Sequence, residues 1–494
     1  MLQARHWLSV LSSSLAVSIL NITVSTNPAS AISLVNGITI PGEATDLFPV
    51  NGGSSSANVN RLGLFSDLYY DRYSNVYYSL ADRGPGGGVI SYNTRVQKFS
   101  LDVDTNTGAI SNFKLLDTIL FTKNGQNFNG LNPTLLNGNP GVLGLSFDPE
   151  GFAIAPNGNF YISDEYGPSV YEFSSTGSFL RAFTNPNNII SKAGNTPNYT
   201  DGRPTITSGR QDNRGFEGLT LSPDGKKLFA MLQDPLVNEG DSNDGRRSRN
   251  LRIVEFDTAT GQSTAQYIYQ LEALADINAR IPGTANDFAA TAQGRNIGIS
   301  AITALNDRQF LVLERDNRGI GVDNPAGSIP VGTKRVYKID LTGATDVSNI
   351  SLAGTNNLPA GVIPVNKSST PFLDIAAALQ AAGKPIPEKF EGLAIGPKLA
   401  DGSYAVLVGT DNDFSVTQTG AGTQFDVCTN GSQVALDAGC PAGSTLIPTY
   451  FYSFKASSTE LAGFVLPEKV PEPATTAGLV VLGLGGFWLK RRKS

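Results

Sequence analysis

Three glutamates, Glu150, Glu217 and Glu391, each stand directly before a glycine and open a short apolar segment. A second set of acids closes the apolar segments that follow: Asp82, Asp164 with Glu165, Asp234, Glu314, and Asp411 with Asp413. Arginine follows the acid directly at Arg83 and Arg315, and Arg214 lies shortly before Glu217. Carboxylates gathered in one place cannot all stay ionised without cations or arginines nearby. Oxygen ligands of this kind suit calcium, which tolerates irregular geometry. Paired arginine donors suit a phosphate or carboxylate group. The competing reading is local: the glutamates could bond backbone amides, and an acid at a strand end beside glycine or proline is commonly a turn residue.

Other chemistries are excluded by composition. The only histidine is His6, at the extreme N-terminus, so the body of the chain has none. Histidine-dependent hydrolases and His-ligated zinc or iron sites are therefore out. The two cysteines, Cys428 and Cys440, lie in one polar stretch and are expected to pair as a disulfide in an oxidising compartment. The formal charge of −6 becomes −11 when the five basic residues Arg5, Lys490, Arg491, Arg492 and Lys493 are set aside. An acidic body argues against nucleic acid and anionic membrane surfaces, and suits cations.

The elements that must position these acids repeat. Residues 150–165 and 217–234 each read as a short apolar strand, a Pro-Asn-Gly or Pro-Asp-Gly turn, and a second strand ending in carboxylates. Segments near 67–83, 300–315 and 391–411 fit the same pattern. A second hairpin follows in several units, at the turns around 105–108, 174–177, 258–261 and 341–343. Four-stranded units in series predict an all-β chain, a β-propeller of four-stranded blades. Five units are readable and a sixth is possible; long polar loops lie between them. The segment 33–40 is expected to pair with 450–454 and close the ring, leaving no free edge. Two short helices are expected, one over 271–279 and one after Thr370-Pro371 and before Gly383. Gly84-Pro85-Gly86-Gly87-Gly88 reads as a flexible turn that could also face an anion.

The ends read as targeting segments. Arg5, an apolar stretch over 7–20 and Ala29-Ser30-Ala31 have the form of a secretory signal over 1–31. Val470-Pro471-Glu472-Pro473, an apolar run over 474–489 and Lys490-Arg491-Arg492-Lys493 form a sorting tail over 467–494, with one membrane-spanning helix. This tail resembles the PEP-CTERM signal of Gram-negative bacteria. That resemblance implies an exosortase partner, a transient inner-membrane anchor, and delivery to the cell surface or extracellular matrix. Residues 32–466 form the body, with a monomer expected.

Within the body, Ser79-Leu80-Ala81-Asp82-Arg83-Gly84, Asp148-Pro149-Glu150-Gly151, Ser163-Asp164-Glu165-Tyr166, Gly215-Phe216-Glu217-Gly218-Leu219 and Phe390-Glu391-Gly392-Leu393-Ala394 resemble the "esterase-like activity of phytase" family. The resemblance implies a secreted calcium-linked phosphoesterase or esterase acting on a small anionic ester. Carried onto matching positions, Asp82, Asp164, Glu165, Asp234, Glu314, Asp411 and Asp413 would bind metal. Arg83 and Arg315 would hold the anionic group, with Glu150, Glu217 and Glu391 at the reacting centre. Two other functions stay open: a non-catalytic calcium- or ligand-binding surface propeller of the extracellular matrix, and a propeller lactonase.

Overall fold

The computed structural model describes residues 32–48, 57–419 and 422–469. Five antiparallel sheets follow one another along the chain, one for each unit legible in the sequence. Sheet 1 runs Leu68–Asp71, Val76–Ala81, Arg95–Val103 and Ile110–Leu120. Sheet 2 runs Pro149–Ile154, Phe160–Asp164, Ser169–Phe173 and Phe179–Ala182. Sheet 3 runs Phe216–Leu221, Lys227–Leu232, Asn250–Asp257 and Ser263–Gln270. Sheet 4 runs Ile297–Ala304, Gln309–Asp316 and Lys334–Asp340, and two short pieces, Asn366–Lys367 and Leu373–Asp374, share its outer position. Sheet 5 runs Lys389–Lys398, Tyr404–Asp411 and Thr449–Ala456. Its outer strand is Ser33–Ile40, from the other end of the chain, antiparallel from Ser33 opposite Lys455 to Ile40 opposite Thr449, with a one-residue register shift between Leu34 and Asn36. No sixth sheet of this kind occurs among the described residues, and each of the five stays open rather than closing on itself.

The sheets form a cycle because each buries its faces against its neighbours. Phe152, Phe160 and Ile162 of sheet 2 meet Tyr78, Leu80 and Val96 of sheet 1. Sheets 2 and 3 share a core around Val170, Leu219 and Phe256. Sheets 3 and 4 meet around Met231, Ile253 and Val312. Sheets 4 and 5 meet around Leu313, Leu393 and Val408. Sheet 5 returns to sheet 1 through Leu407, Phe451, Tyr77 and Phe99. The first strands also touch in that order and come round to the start. A cavity of about 370 Å³ lies on their common axis, lined by Tyr69, Ile154, Leu221, Ala304 and Ile395, one residue from each first strand. The final described segment crosses this end of the axis: Val465 N donates to Leu305 O (2.7 Å) and Glu468 N to Pro223 O (2.7 Å).

The turn chemistry acts as read, with Gly158 and Gly225 at φ of 86° and 73° in the Pro-Asn-Gly and Pro-Asp-Gly turns. The two expected helices are shorter than their sequence windows, at Leu274–Asn278 and Ile375–Ala381. The second starts late because Leu373–Asp374 pairs with sheet 4, and the Asp374 side chain then caps Ala377 N at 3.0 Å. Cys428 and Cys440 form a disulfide. The expected secretory signal and the membrane-spanning part of the tail lie outside the described residues. Among the described residues no helix is long and apolar enough to cross a membrane.

Close contact between first strands depends on the glycine that follows each glutamate. A Cβ on Gly151 would stand 2.5 Å from Leu219 Cβ and 2.7 Å from Leu219 N, in the next sheet. A Cβ on Gly218 would stand 2.9 Å from Ile302 Cγ2, and one on Gly392 would stand 3.1 Å from Leu68 Cβ. In each case the adjoining first strand is an obstacle, joined at Gly151 by Ser163 Oγ (2.6 Å) and at Gly392 by Phe65 Cδ1 (3.0 Å). The Gly151→Ala protein is therefore expected to lose about 1–3 kcal/mol of stability, the cost of overpacking a filled site, read from the midpoint of a urea titration. An unchanged midpoint would contradict this packing account.

Candidate functional site: an acidic mouth at one end of the ring

The start of each first strand and the end of each second strand lie at one end of the axis, opposite the 370 Å³ cavity. Four first strands carry a β-bulge there. In sheet 2, Glu150 and Gly151 together face the single residue Ser163. The extra residues in sheets 3, 4 and 5 are Glu217, Ser300 and Glu391. A bulge re-aims a side chain out of the regular alternation. All three glutamates are buried, and Ser300 instead donates to Phe390 O (2.6 Å), tying sheet 4 to sheet 5.

The acids converge in three overlapping groups: Asp82–Asp411–Asp413, Asp82–Asp148–Glu150 and Glu150–Glu165–Glu217. Within each, one oxygen per residue lies within 4.8 Å of the others, the spacing a bound cation needs. Fixed positive charges meet the two ends of this series. Lys389 Nζ is 2.9 Å from Asp411 Oδ2 and 2.8 Å from Asp413 Oδ1. Arg315 Nη2 bonds Glu391 and stands 3.7 Å from Glu217 Oε1. Arg83 Nη1 is 3.3 Å from Asp148 Oδ2, and its backbone N donates to Asp148 Oδ1 (3.0 Å). Between them, Glu150 and Glu165 make no ion pair among the described residues. Glu165 Oε1 and Glu217 Oε2 are buried with no hydrogen-bond donor among the described residues. Buried polar atoms are nearly always satisfied, so two orphan carboxylate oxygens in one group point to a ligand.

The electrostatics follow from that crowding. Burial and then Glu217 and Asp148 push Glu150 well above the usual carboxylate range. Burial, then Glu165 and Glu391, do the same to Glu217 in spite of Arg315. Burial and Asp148 bring Glu165 up to about 7. Burial raises Asp411 to about 6 even with Lys389 beside it.

Backbone strain also gathers here. Asp413, Phe414 and Ser415 take φ of 49°, 54° and 59°, three consecutive left-handed residues without a glycine. Such conformations persist only where the surroundings over-determine them. Arg61 supplies part of that restraint, donating to Phe414 O (3.0 Å) while its guanidinium grips Asp426 at 2.7 and 2.8 Å. A recess of about 190 Å³ opens beside Asp82, Arg83 and Asp413, walled by Gly84, Gly86 and Gly87. The glycine-rich segment is thus a wall of the mouth.

The structure brings together Asp82, Arg83, Glu150, Glu165, Glu217, Arg315, Glu391, Asp411 and Asp413. Three residues expected with the metal ligands stand apart from the groups. Asp164 accepts from the backbone N of Asp148 (2.9 Å), Tyr166 (3.1 Å) and Gly167 (3.2 Å), so it holds the turn that aims Glu165. Asp234 pairs with Arg214 Nε at 3.4 Å. Glu314 turns into the sheet 3–sheet 4 interface, where Tyr269, Lys367 and the Glu272 N (3.0 Å) claim it. Two residues of the mouth escaped sequence reasoning as candidates, Asp148 and Lys389. Both lie two places before a bulge glutamate, a shared register that marks them in retrospect.

Comparison with known proteins bears on this site. The sequence model of a phytase-like family, described as "esterase-like activity of phytase", matches residues 60–414. An uncharacterized secreted protein of Arthroderma benhamiae is 30% identical over 353 residues, covering 62% of this chain and 66% of that protein, just short of two thirds of its length. Among solved structures, a luciferin-regenerating enzyme aligns at 12% identity over 79% of this chain and 92% of its own, with a TM-score of 0.28. The Dos1 propeller aligns at 10% identity over 80% and 79%, with a TM-score of 0.25. Likeness this low carries no weight for fold or function, which rest on the strand order and the side chains. The family match spans four of the five sheets whole and the acidic mouth from Asp82 to Asp413, and on it this chain belongs to the phytase-like, esterase-like activity of phytase family.

Proposed function

We propose that this protein is an exported, divalent-cation-dependent ester hydrolase built on a five-bladed β-propeller, with calcium as the expected ion. The carrying observation is the Glu150–Glu165–Glu217 group: three buried carboxylates from two sheets, within 4.8 Å, with two oxygens lacking any donor. An all-oxygen donor set of this charge fits calcium. The similarity to a protein described as secreted supports export, as does the disulfide. Placement at the cell surface through the C-terminal tail is part of the same proposal.

Glu150, Glu165 and Glu217 would hold the ion, and Glu391 with Arg315 would brace the group from sheets 5 and 4. A bound divalent ion supplies Lewis-acid polarisation of an ester oxygen and a lower pKa for a water ligand. The chain's own residues do the rest. The recess beside Arg83 and Asp413 admits the substrate. Asp148 keeps Arg83 oriented toward it. Asp82, tied to Gly84 N at 2.9 Å, sets the edge of the glycine-rich wall.

One observation favours a second reading, a non-catalytic calcium-binding propeller. Arg83 and Arg315 are both engaged with carboxylates, so neither is free to meet developing negative charge without rearrangement. A panel of phosphate esters, carboxylic esters and lactones separates the readings. Turnover that EDTA abolishes and calcium restores supports the hydrolase, and the substrate that reacts separates a phosphoesterase from an esterase or lactonase. No turnover, with calcium still raising the melting temperature, leaves the binding reading.

The Glu165→Gln protein is expected to bind calcium at least about 100-fold more weakly in calorimetry, since losing even an outer partner of a metal ligand commonly costs 10–100-fold. Equal affinity would remove the ion from this group.

Stability should depend on pH in a defined direction. Glu165 titrates near 7 when folded against 4.5 ordinarily, and Asp411 near 6 against 3.8. Between those values the folded state holds protons that the unfolded chain has released. The contribution is full at low pH and is lost as pH rises through about 6 to 7. Calcium-free protein should therefore melt at a lower temperature at pH 8 than at pH 5.5. Added calcium should recover the loss at pH 8, because ion binding displaces fewer protons there than at pH 5.5. A calcium-free melting temperature that rises over this window would contradict the buried-acid account.

A further inference from the structure

The three acidic groups of the mouth share one geometry but differ in how they are neutralised. At Asp82–Asp411–Asp413 the Lys389 ammonium is in place, 2.9 Å from Asp411, 2.8 Å from Asp413 and 3.7 Å from Glu391. The middle group is paired with the Arg83 guanidinium at 3.3 Å through Asp148 Oδ2, which makes no hydrogen bond, and bonded to Arg83 N through Asp148 Oδ1 and to Gly84 N through Asp82. At Glu150–Glu165–Glu217 no lysine or arginine among the described residues pairs with Glu150 or Glu165, and the orphan oxygens of Glu165 and Glu217, residues each 2% exposed, lie in the group. An ammonium and a divalent ion cannot share one set of oxygens. Calcium needs them at about 2.3–2.6 Å from its own centre, the space that Lys389 Nζ fills.

We propose that Lys389 is the resident cation of the Asp82–Asp411–Asp413 group and limits the mouth to one divalent ion, held at Glu150–Glu165–Glu217. Removing the ammonium opens a second divalent site. This rests on the metal reading above and adds to it a count and a residue that sets the count. The mouth then carries one exchangeable charge and one permanent charge, side by side through the shared Asp82 and Glu150. A reacting oxygen would be polarised by an ion from one side only.

The test is the calcium stoichiometry of the full chain, by calorimetry and by metal analysis after gel filtration. It uses the wild type, Lys389→Gln, Lys389→Arg and Asp411→Asn. The expected counts are one, two, one and one. Lys389→Gln remaining at one, or wild type taking two, overturns the role of Lys389 and leaves the metal reading standing. Loss of the ion in Asp411→Asn places it beside Lys389 and overturns the proposal even if Lys389→Gln does not fold. Wild type at zero with Lys389→Gln at one upholds Lys389 and removes the Glu150 site. Zero in both removes the metal reading and the proposal together.

Discussion

Everything at the mouth follows from one constraint, that carboxylates of like charge have been taken out of water and set side by side. Desolvation and mutual repulsion both oppose their ionisation. The structure answers in three ways. Arg315 bridges Glu217 and Glu391, Lys389 sits among Asp411, Asp413 and Glu391, and Arg83 meets Asp148. At Glu150 and Glu165 no lysine or arginine among the described residues pairs directly, and a proton or a bound cation can balance the charge there.

The scaffold exists to hold that arrangement against its own repulsion. Five apolar interfaces join the sheets in a cycle, and the strand Ser33–Ile40 locks the last sheet to the first segment of the body. Covering that edge also removes a template for pairing with other chains. Bulges turn the glutamates toward the axis, and the glycines behind them let adjoining strands come close enough to bring carboxylate oxygens of Glu150 and Glu217 within 4.8 Å. On the far side, the left-handed run from Asp413 to Ser415 is held by Arg61 and Asp426, two buried charges whose own pairing is complete. Strain at the rim is thus balanced by ion pairs one layer deeper.

Local chemistry made much of this legible. Hairpin turns, alternating apolar strands and the Glu-Gly pairs were visible in the sequence because each depends on a few neighbouring residues. Repetition of the hairpin also predicted that Asp82, Glu165, Asp411 and Asp413 would meet, since equivalent positions of like units lie at the same end. The same logic over-reached at Asp164, Asp234 and Glu314. Strand-end position decides which end of a sheet an acid occupies; the alternation of side chains and the neighbours within reach decide which way it faces. Glu314 shares a strand end with Arg315, and successive residues point to opposite faces: one enters the mouth and the other enters the interface with sheet 3.

By itself, then, the sequence determined an all-β chain of five repeated units, an acidic body without histidine, and a family whose signatures sit at strand ends. Those are properties of composition and of short-range turn and strand chemistry. Tertiary structure alone decided the pairing of charges: Asp148 and Lys389 in the mouth, Ser300 at the bulge of sheet 4, and Glu150 and Glu165 without an ion pair among the described residues. Ion pairing is settled at separations of a few ångströms between residues far apart in the chain, and only the closed ring brings those residues to such distances.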